Sequence, residues 1–122
     1  MATILIVEDN PSNLKLTSFL LQQAGYTVIS ATDAEAGLRL ARAQLPDLIL
    51  MDIQLPGMDG LAAVGLLKQD VAMRAIPVIA LTALAMSGDE ARIRSAGCVD
   101  YIAKPMRYQE ALATVAAHLS RT

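Results

Sequence analysis

Five short apolar runs punctuate the chain: ILIV (4–7), YTVIS (26–30), LILM (48–51), PVIAL (77–81) and VDYIA (99–103). Three of them are apolar almost throughout rather than alternating, which is how strands read when helices cover both faces of a parallel sheet. The longer segments between them carry helix signals. Asn10 before Pro11 reads as an N-cap with proline in the first turn, and Gly25 as the stop. Leu14, Thr17, Leu20, Leu21 and Ala24 make one broad core face on that helix. Thr32 with Glu35, and Ser87 with Glu90, have capping-box spacing. Asp59 can cap the third helix, and Gly97 stands where the fourth should stop. The fifth helix follows Pro105, with Tyr108, Leu112, Val115 and Leu119 at core-facing spacing. Five such βα units predict an α/β fold, a flavodoxin-like doubly wound (βα)5 domain. Its five-stranded parallel sheet has right-handed crossovers and strand order 2-1-3-4-5.

Composition narrows the picture. The chain of 122 residues suits one domain, 1–122, and 54% hydrophobic content implies a packed core. Net charge is −2 and no basic run stands out, against nucleic acid and polybasic membrane contact. No apolar stretch approaches the ~18 residues of a membrane-spanning helix. MATILIVEDN has no basic leader and does not read as a signal peptide. A single cysteine, Cys98, cannot form an internal disulfide, so a reducing, cytoplasmic setting is expected. A monomer is the default expectation.

The chemistry lies where the strands end. Strand 1 runs into Glu8 and Asp9, and strand 3 into Asp52. Strands 1 and 3 are neighbours in this topology, and sites form at such a switch point, so the three carboxylates should converge. Three like charges in one pocket need a cation, and an oxygen-only set suits a hard divalent ion, Mg²⁺ above all. The bland alternative, Glu8 and Asp9 as helix caps, is weaker because Asn10 is better placed for that job. Thr82 ends strand 4 and Lys104 follows strand 5. Each alone reads as a turn residue or a solvated base. With the acids they would hold a phosphoryl group on Asp52 by positioning and charge neutralisation. A carboxylate nucleophile then gives an aspartyl-phosphate.

VEDN, LILMDIQLPGMDG, ALTA and YIAKP, in that order, make the chain resemble the receiver domain of bacterial response regulators. The likeness covers essentially the whole chain. MDIQLPG and ALAMSGDEARIRSAGC bring it nearest to short single-domain cell-cycle regulators of the DivK type. Receivers are themselves among the known flavodoxin-like folds, so the strand order and the resemblance are one expectation, not two. The resemblance implies that Asp52 accepts a phosphoryl group from a sensor histidine kinase or a histidine phosphotransfer protein. Glu8, Asp9, Asp52 and the backbone carbonyl of Gln54 would hold Mg²⁺. Lys104 would pair with the phosphoryl, Thr82 would move to bind one of its oxygens, and Tyr101 would turn inward as the switch. The Lys104–Pro105 bond would be cis. Output would pass through the face of helix 4, strand 5 and helix 5 to a downstream protein target, without an output domain and without enzymatic turnover beyond self-catalysed phosphotransfer and dephosphorylation. Leu84, two residues past Thr82, offers no group to orient water, so a long-lived phosphoryl is expected.

Smaller features have bland readings. Phe19, the single phenylalanine, is expected to fold back onto the core. The sharper alternative makes Phe19 and Leu16 a docking knob for a kinase helix bundle. Cys98 reads as a small buried hydrophobe, His118 as a surface residue, and the six methionines as core filling. The competing function is a receiver-like module that only binds partners. A haloacid-dehalogenase-type phosphatase would need a DxD after the first strand. A flavodoxin would need a glycine-rich phosphate loop there.

Overall fold

The three runs that read as continuously apolar occupy the centre of the sheet. A computed structural model of the chain describes residues 2–83, 87–104 and 106–119, with 87–89 in their backbone alone. In chain order the elements are β1 (Thr3–Val7), α1 (Pro11–Gln23), β2 (Thr27–Ala31), α2 (Ala34–Gln44), β3 (Leu48–Asp52), α3 (Gly60–Gln69), β4 (Val78–Thr82), α4 (Ser87–Ala96), β5 (Asp100–Ala103) and α5 (Tyr108–Leu119). The strands form one parallel sheet in the order β2-β1-β3-β4-β5, as the pattern predicts. β3 and β4 are buried along their whole length, whereas the edge strands β2 and β5 are partly exposed.

Alternation along each inner strand divides the core in two. Leu5, Val7, Ile49, Met51, Val78 and Ala80 face one way, against Ala41 of α2, Val64 and Leu67 of α3, and Ile93 of α4. Ile4, Ile6, Leu48, Leu50, Ile79 and Leu81 face the other way, against Leu21 of α1 and Ala111 and Val115 of α5. Each such large side chain contributes about 1.5–3 kcal/mol by leaving water. Met51 and Met73 are buried, and Met58 and Met106 pack against the clusters, consistent with core filling. Met1 and Met86 lie outside the described residues.

The helix ends follow the sequence signals with instructive exceptions. Asn10 caps α1 by accepting from the amides of Ser12 and Asn13 at 3.0 and 3.1 Å. Beyond the C-cap Ala24, Gly25 has φ +99°, and bonds from Gly25 to Gln22 and from Tyr26 to Leu21 close a Schellman turn. Asp59 caps α3. The expected box of Thr32 and Glu35 is displaced by one residue: β2 runs to Ala31 and α2 starts only at Ala34, so Asp33 is the cap, accepting from Ala36 at 2.8 Å. α4 begins at Ser87, and the side chain that the expected box with Glu90 needs lies outside the described residues.

Three expectations about helix faces are corrected. Phe19 is 55% exposed and does not fold onto the core. It stands two residues from buried Thr17, about 200° round the helix, and so on the far side. Ala24 is exposed because the helix ends on it. Tyr108 is 51% exposed, and Ala111, with Val115, takes the core position instead. His118 is no surface residue either, as described below. Cys98 is buried just before β5, and burial pushes its thiol up to about 11, which leaves it inert.

Candidate functional site at the carboxyl edge of the sheet

The register brings the strand ends together. Val7 pairs with Met51, Asp52 with Leu81, and Thr82 with Ala103, so the residues that end β1, β3, β4 and β5 share one edge. Asp52 is the last residue of β3 and Thr82 the last of β4, and both are buried. Glu8 follows β1 with its side chain turned inward at 2% exposure, while Asp9 faces solvent.

Glu8, Asp9 and Asp52 each offer a carboxylate oxygen, all within 4.8 Å of one another. A trio this close can be drawn together onto one small oxygen-ligated ion such as Mg²⁺. The donors are hard and anionic, which fits Mg²⁺ and not a thiophilic metal. The Asp52 carboxylate also accepts from the Gln54 amide at 2.9 Å, a local bond that turns the chain directly after β3.

Lys104 joins the acids. Its ammonium donates to Glu8 Oε1 and Asp52 Oδ2, each at 2.8 Å. The contact to Asp52 is as expected; the equal contact to Glu8 is not legible in the chain, because the two residues are 96 positions apart. Burial and a hydrogen bond shared with Asp52 push the Glu8 carboxyl above its ordinary range, against the opposing pull of Lys104 and the Asn10 amide. Burial would lower Lys104, but its bonds to Asp52 and Glu8 outweigh that and raise it. No buried side-chain polar atom among the described residues lacks a partner.

The edge is tightly built beneath the nucleophile. The α-carbon of Gly60, first residue of α3, lies against Asp52 and Ile53. A β-carbon there would meet the Asp52 carbonyl oxygen and stand 2.6 Å from the Ile53 α-carbon. The sequence hint was present in PGMDG, where glycine takes the first helical position in place of a better helix former.

Two grooves flank the site. One, of about 590 Å³, runs between α4 and α5 past Arg94, Tyr101, Lys104 and Arg107. Tyr101 is partly buried there. The other, of about 630 Å³, leads from Glu8 and Lys104 along α1 to Leu16 and Tyr108. Leu16 and Phe19 are 45% and 55% exposed on α1. Pro105, with its expected cis bond, and Leu84 lie outside the described residues.

At the start of β5 His118 of α5 makes a bond that no local spacing announces. Its Nε2 lies 3.0 Å from Asp100 Oδ2 and its side chain is 11% exposed. The two residues are 18 positions apart and meet only because α5 packs back along β5.

Comparison with known proteins agrees with this fold. A family model described as the response regulator receiver domain matches residues 4–116. The polar-differentiation response regulator DivK of Brucella anthropi is 48% identical over 117 residues, 96% of this chain and 95% of the relative. Among solved structures, the receiver domain of a Pseudomonas aeruginosa sensor histidine kinase, with a magnesium ion coordinated in its active site cleft, superposes with TM-score 0.91. It is 37% identical, and the match covers 98% of each chain. The chemotaxis protein CheY4 of Vibrio cholerae superposes with TM-score 0.93 at 28% identity, covering 98% of this chain and 99% of that one.

Proposed function

The chain belongs to the response regulator receiver domain family of two-component signalling, and on that premise we propose that Asp52 is its phosphoacceptor. The observation that carries this is a buried carboxylate at the end of β3, gripped by Lys104 at 2.8 Å and standing beside two further acids. An Asp52 oxygen attacks the phosphorus of a phosphohistidine. The phosphorus–nitrogen bond breaks and the imidazole leaves with the electron pair, so the step needs positioning and charge neutralisation more than proton transfer. Glu8, Asp9, Asp52 and the Gln54 carbonyl would hold Mg²⁺, which when bound offsets the charge of the incoming phosphoryl. Lys104 follows the charge from the carboxylate pair to the phosphoryl, as a compact cation can. The Thr82 hydroxyl takes a phosphoryl oxygen, and Tyr101 turns inward. The resulting population shift alters the face of α4, β5 and α5 for a downstream protein target.

Receiver domains interact with kinases or phosphotransfer proteins, and for this chain a sensor histidine kinase or a histidine phosphotransfer protein is the proposed donor. No helix among the described residues is long and apolar enough to cross a membrane. Cytoplasmic placement, a monomer, and activity limited to self-catalysed phosphotransfer and dephosphorylation complete the reading. It competes with a module that binds partners without phosphorylation. The intact set of Asp52, Thr82 and Lys104 favours the phosphorylated reading.

The test is transfer from a purified phosphorylated histidine phosphotransfer protein. Label should move to this chain with Mg²⁺ and stay on the donor when the metal is chelated; transfer that ignores Mg²⁺ would overturn the metal assignment. Phe19, exposed on α1, is proposed with Leu16 as the donor's grip. Replacing Phe19 by Ala should slow protein-donor transfer about tenfold, the effect of a lost interface anchor. Stability and uptake from acetyl phosphate should stay unchanged, and an unaltered protein-donor rate would remove the role. The apolar Leu84 leads to a phosphoryl half-life of minutes or longer, read as loss of label after donor removal. A half-life of seconds would contradict it.

A further inference from the structure

One carboxylate ties together the three elements of the α4–β5–α5 face. Asp100, the first residue of β5, offers Oδ2 to His118 of α5 at 3.0 Å. Its Oδ1 accepts from the Tyr101 amide at 2.8 Å and stands 3.8 Å from the Arg94 guanidinium of α4. Arg94 also donates to the Val99 carbonyl at 3.0 Å. Nothing in the phosphoryl chemistry uses this cluster. It is nevertheless bonded to the backbone of Tyr101, the residue expected to move.

We propose that Asp100 and His118 are positioning residues for the Tyr101 switch, holding the start of β5 to α5 in the unphosphorylated arrangement and opposing the inward turn of Tyr101. This role rests on the receiver reading above. The pair is formed here with Tyr101 only partly buried, and an interaction shifts an equilibrium only by the difference in its strength between the two states. On this proposal the inward turn of Tyr101 pulls on the peptide that joins it to Asp100, so that the pair is weaker in the switched state. The bond to the Asp100 carboxylate is charge-assisted, which strengthens the hold. Among the described residues, Arg94 of α4 stands beside the Asp100–His118 pair, with Glu90 3.5 Å behind it. Burial alone would raise the Asp100 carboxyl, but its bonds to His118 and the Tyr101 amide, with the charges of His118 and Arg94, hold it below the usual range.

The test is titration with beryllium fluoride and Mg²⁺, a mimic of the phosphoryl group, followed by the Tyr101 amide resonance. Wild type, His118→Gln and Asp100→Asn are compared under the same conditions. Asp100→Asn keeps an oxygen for the Tyr101 amide and removes the charge. Both variants should reach half-saturation at about threefold less beryllium fluoride than wild type, as expected for one lost charge-assisted bond. Variants that match wild type, or need more of the mimic, overturn the positioning role alone. A folded wild type that does not respond at all overturns the receiver reading and this role with it.

Discussion

Replacing Lys104 by Met is expected to destabilise the metal-free protein by about 3 kcal/mol, because it removes one partner from a buried ion cluster. Glu8 and Asp52 are each 2% exposed, and Lys104 is their shared cation at 2.8 Å. Methionine keeps the length of the stem and discards the charge, leaving two carboxylates facing one another. The deficit has a definite pH course. Glu8 already binds its proton more tightly folded than unfolded, so its contribution is present at low pH and is lost as pH rises through its raised value. Without Lys104 that rise is larger. The variant should therefore approach wild type on acidification and fall furthest behind it above neutrality. Added Mg²⁺ should recover part of the loss. In wild type the raised Lys104 keeps its charge across this whole window, since its own contribution is lost only above the ordinary lysine range. Urea unfolding at several pH values with the metal chelated reads all of this. An equal midpoint for the two proteins at alkaline pH would show that the cluster contributes nothing.

Gly60→Ala is expected to cost about 3 kcal/mol or more, the upper end for overpacking, although alanine is the better helix former. The added methyl meets backbone, the carbonyl of Asp52 and the α-carbon of Ile53, and backbone cannot rotate aside as a side chain can. The displaced atoms belong to the nucleophile, so phosphoryl uptake should fall together with stability. Gly65, in the middle of the same helix, is the control. Nothing lies within 4 Å of a β-carbon there, so Gly65→Ala should stabilise by up to about 1 kcal/mol. Thermal melts of the two variants should move in opposite directions, and a harmless Gly60→Ala would mean that α3 does not approach β3 as closely as described.

The fold and the acidic site were legible for the same reason. Apolar runs that stop abruptly on Asp52, Thr82 and the Glu8–Asp9 pair mark buried strand ends, and five such runs leave few topologies open. Asn10, Asp59 and Gly25 were readable because capping is local. The cap of α2 was misplaced by one residue because Thr32 and Asp33 both carry suitable acceptors, and only the end of β2 decides between them. Phe19 and Tyr108 were misjudged because a large apolar side chain was counted as core, when its angle round the helix and its place in the first turn put it in water. The Lys104–Glu8 contact and the Asp100–His118 bond join residues distant along the chain, and no local spacing announces them.

Intact mass after incubation with Mg²⁺ and acetyl phosphate tests the central claim most directly. One added phosphoryl group on wild type, none on Asp52→Asn and none when Mg²⁺ is chelated is the result expected of an aspartyl phosphate at Asp52. Equal labelling of Asp52→Asn would contradict that residue as the acceptor, and no labelling of a folded wild type would leave a module that binds its partners without phosphorylation.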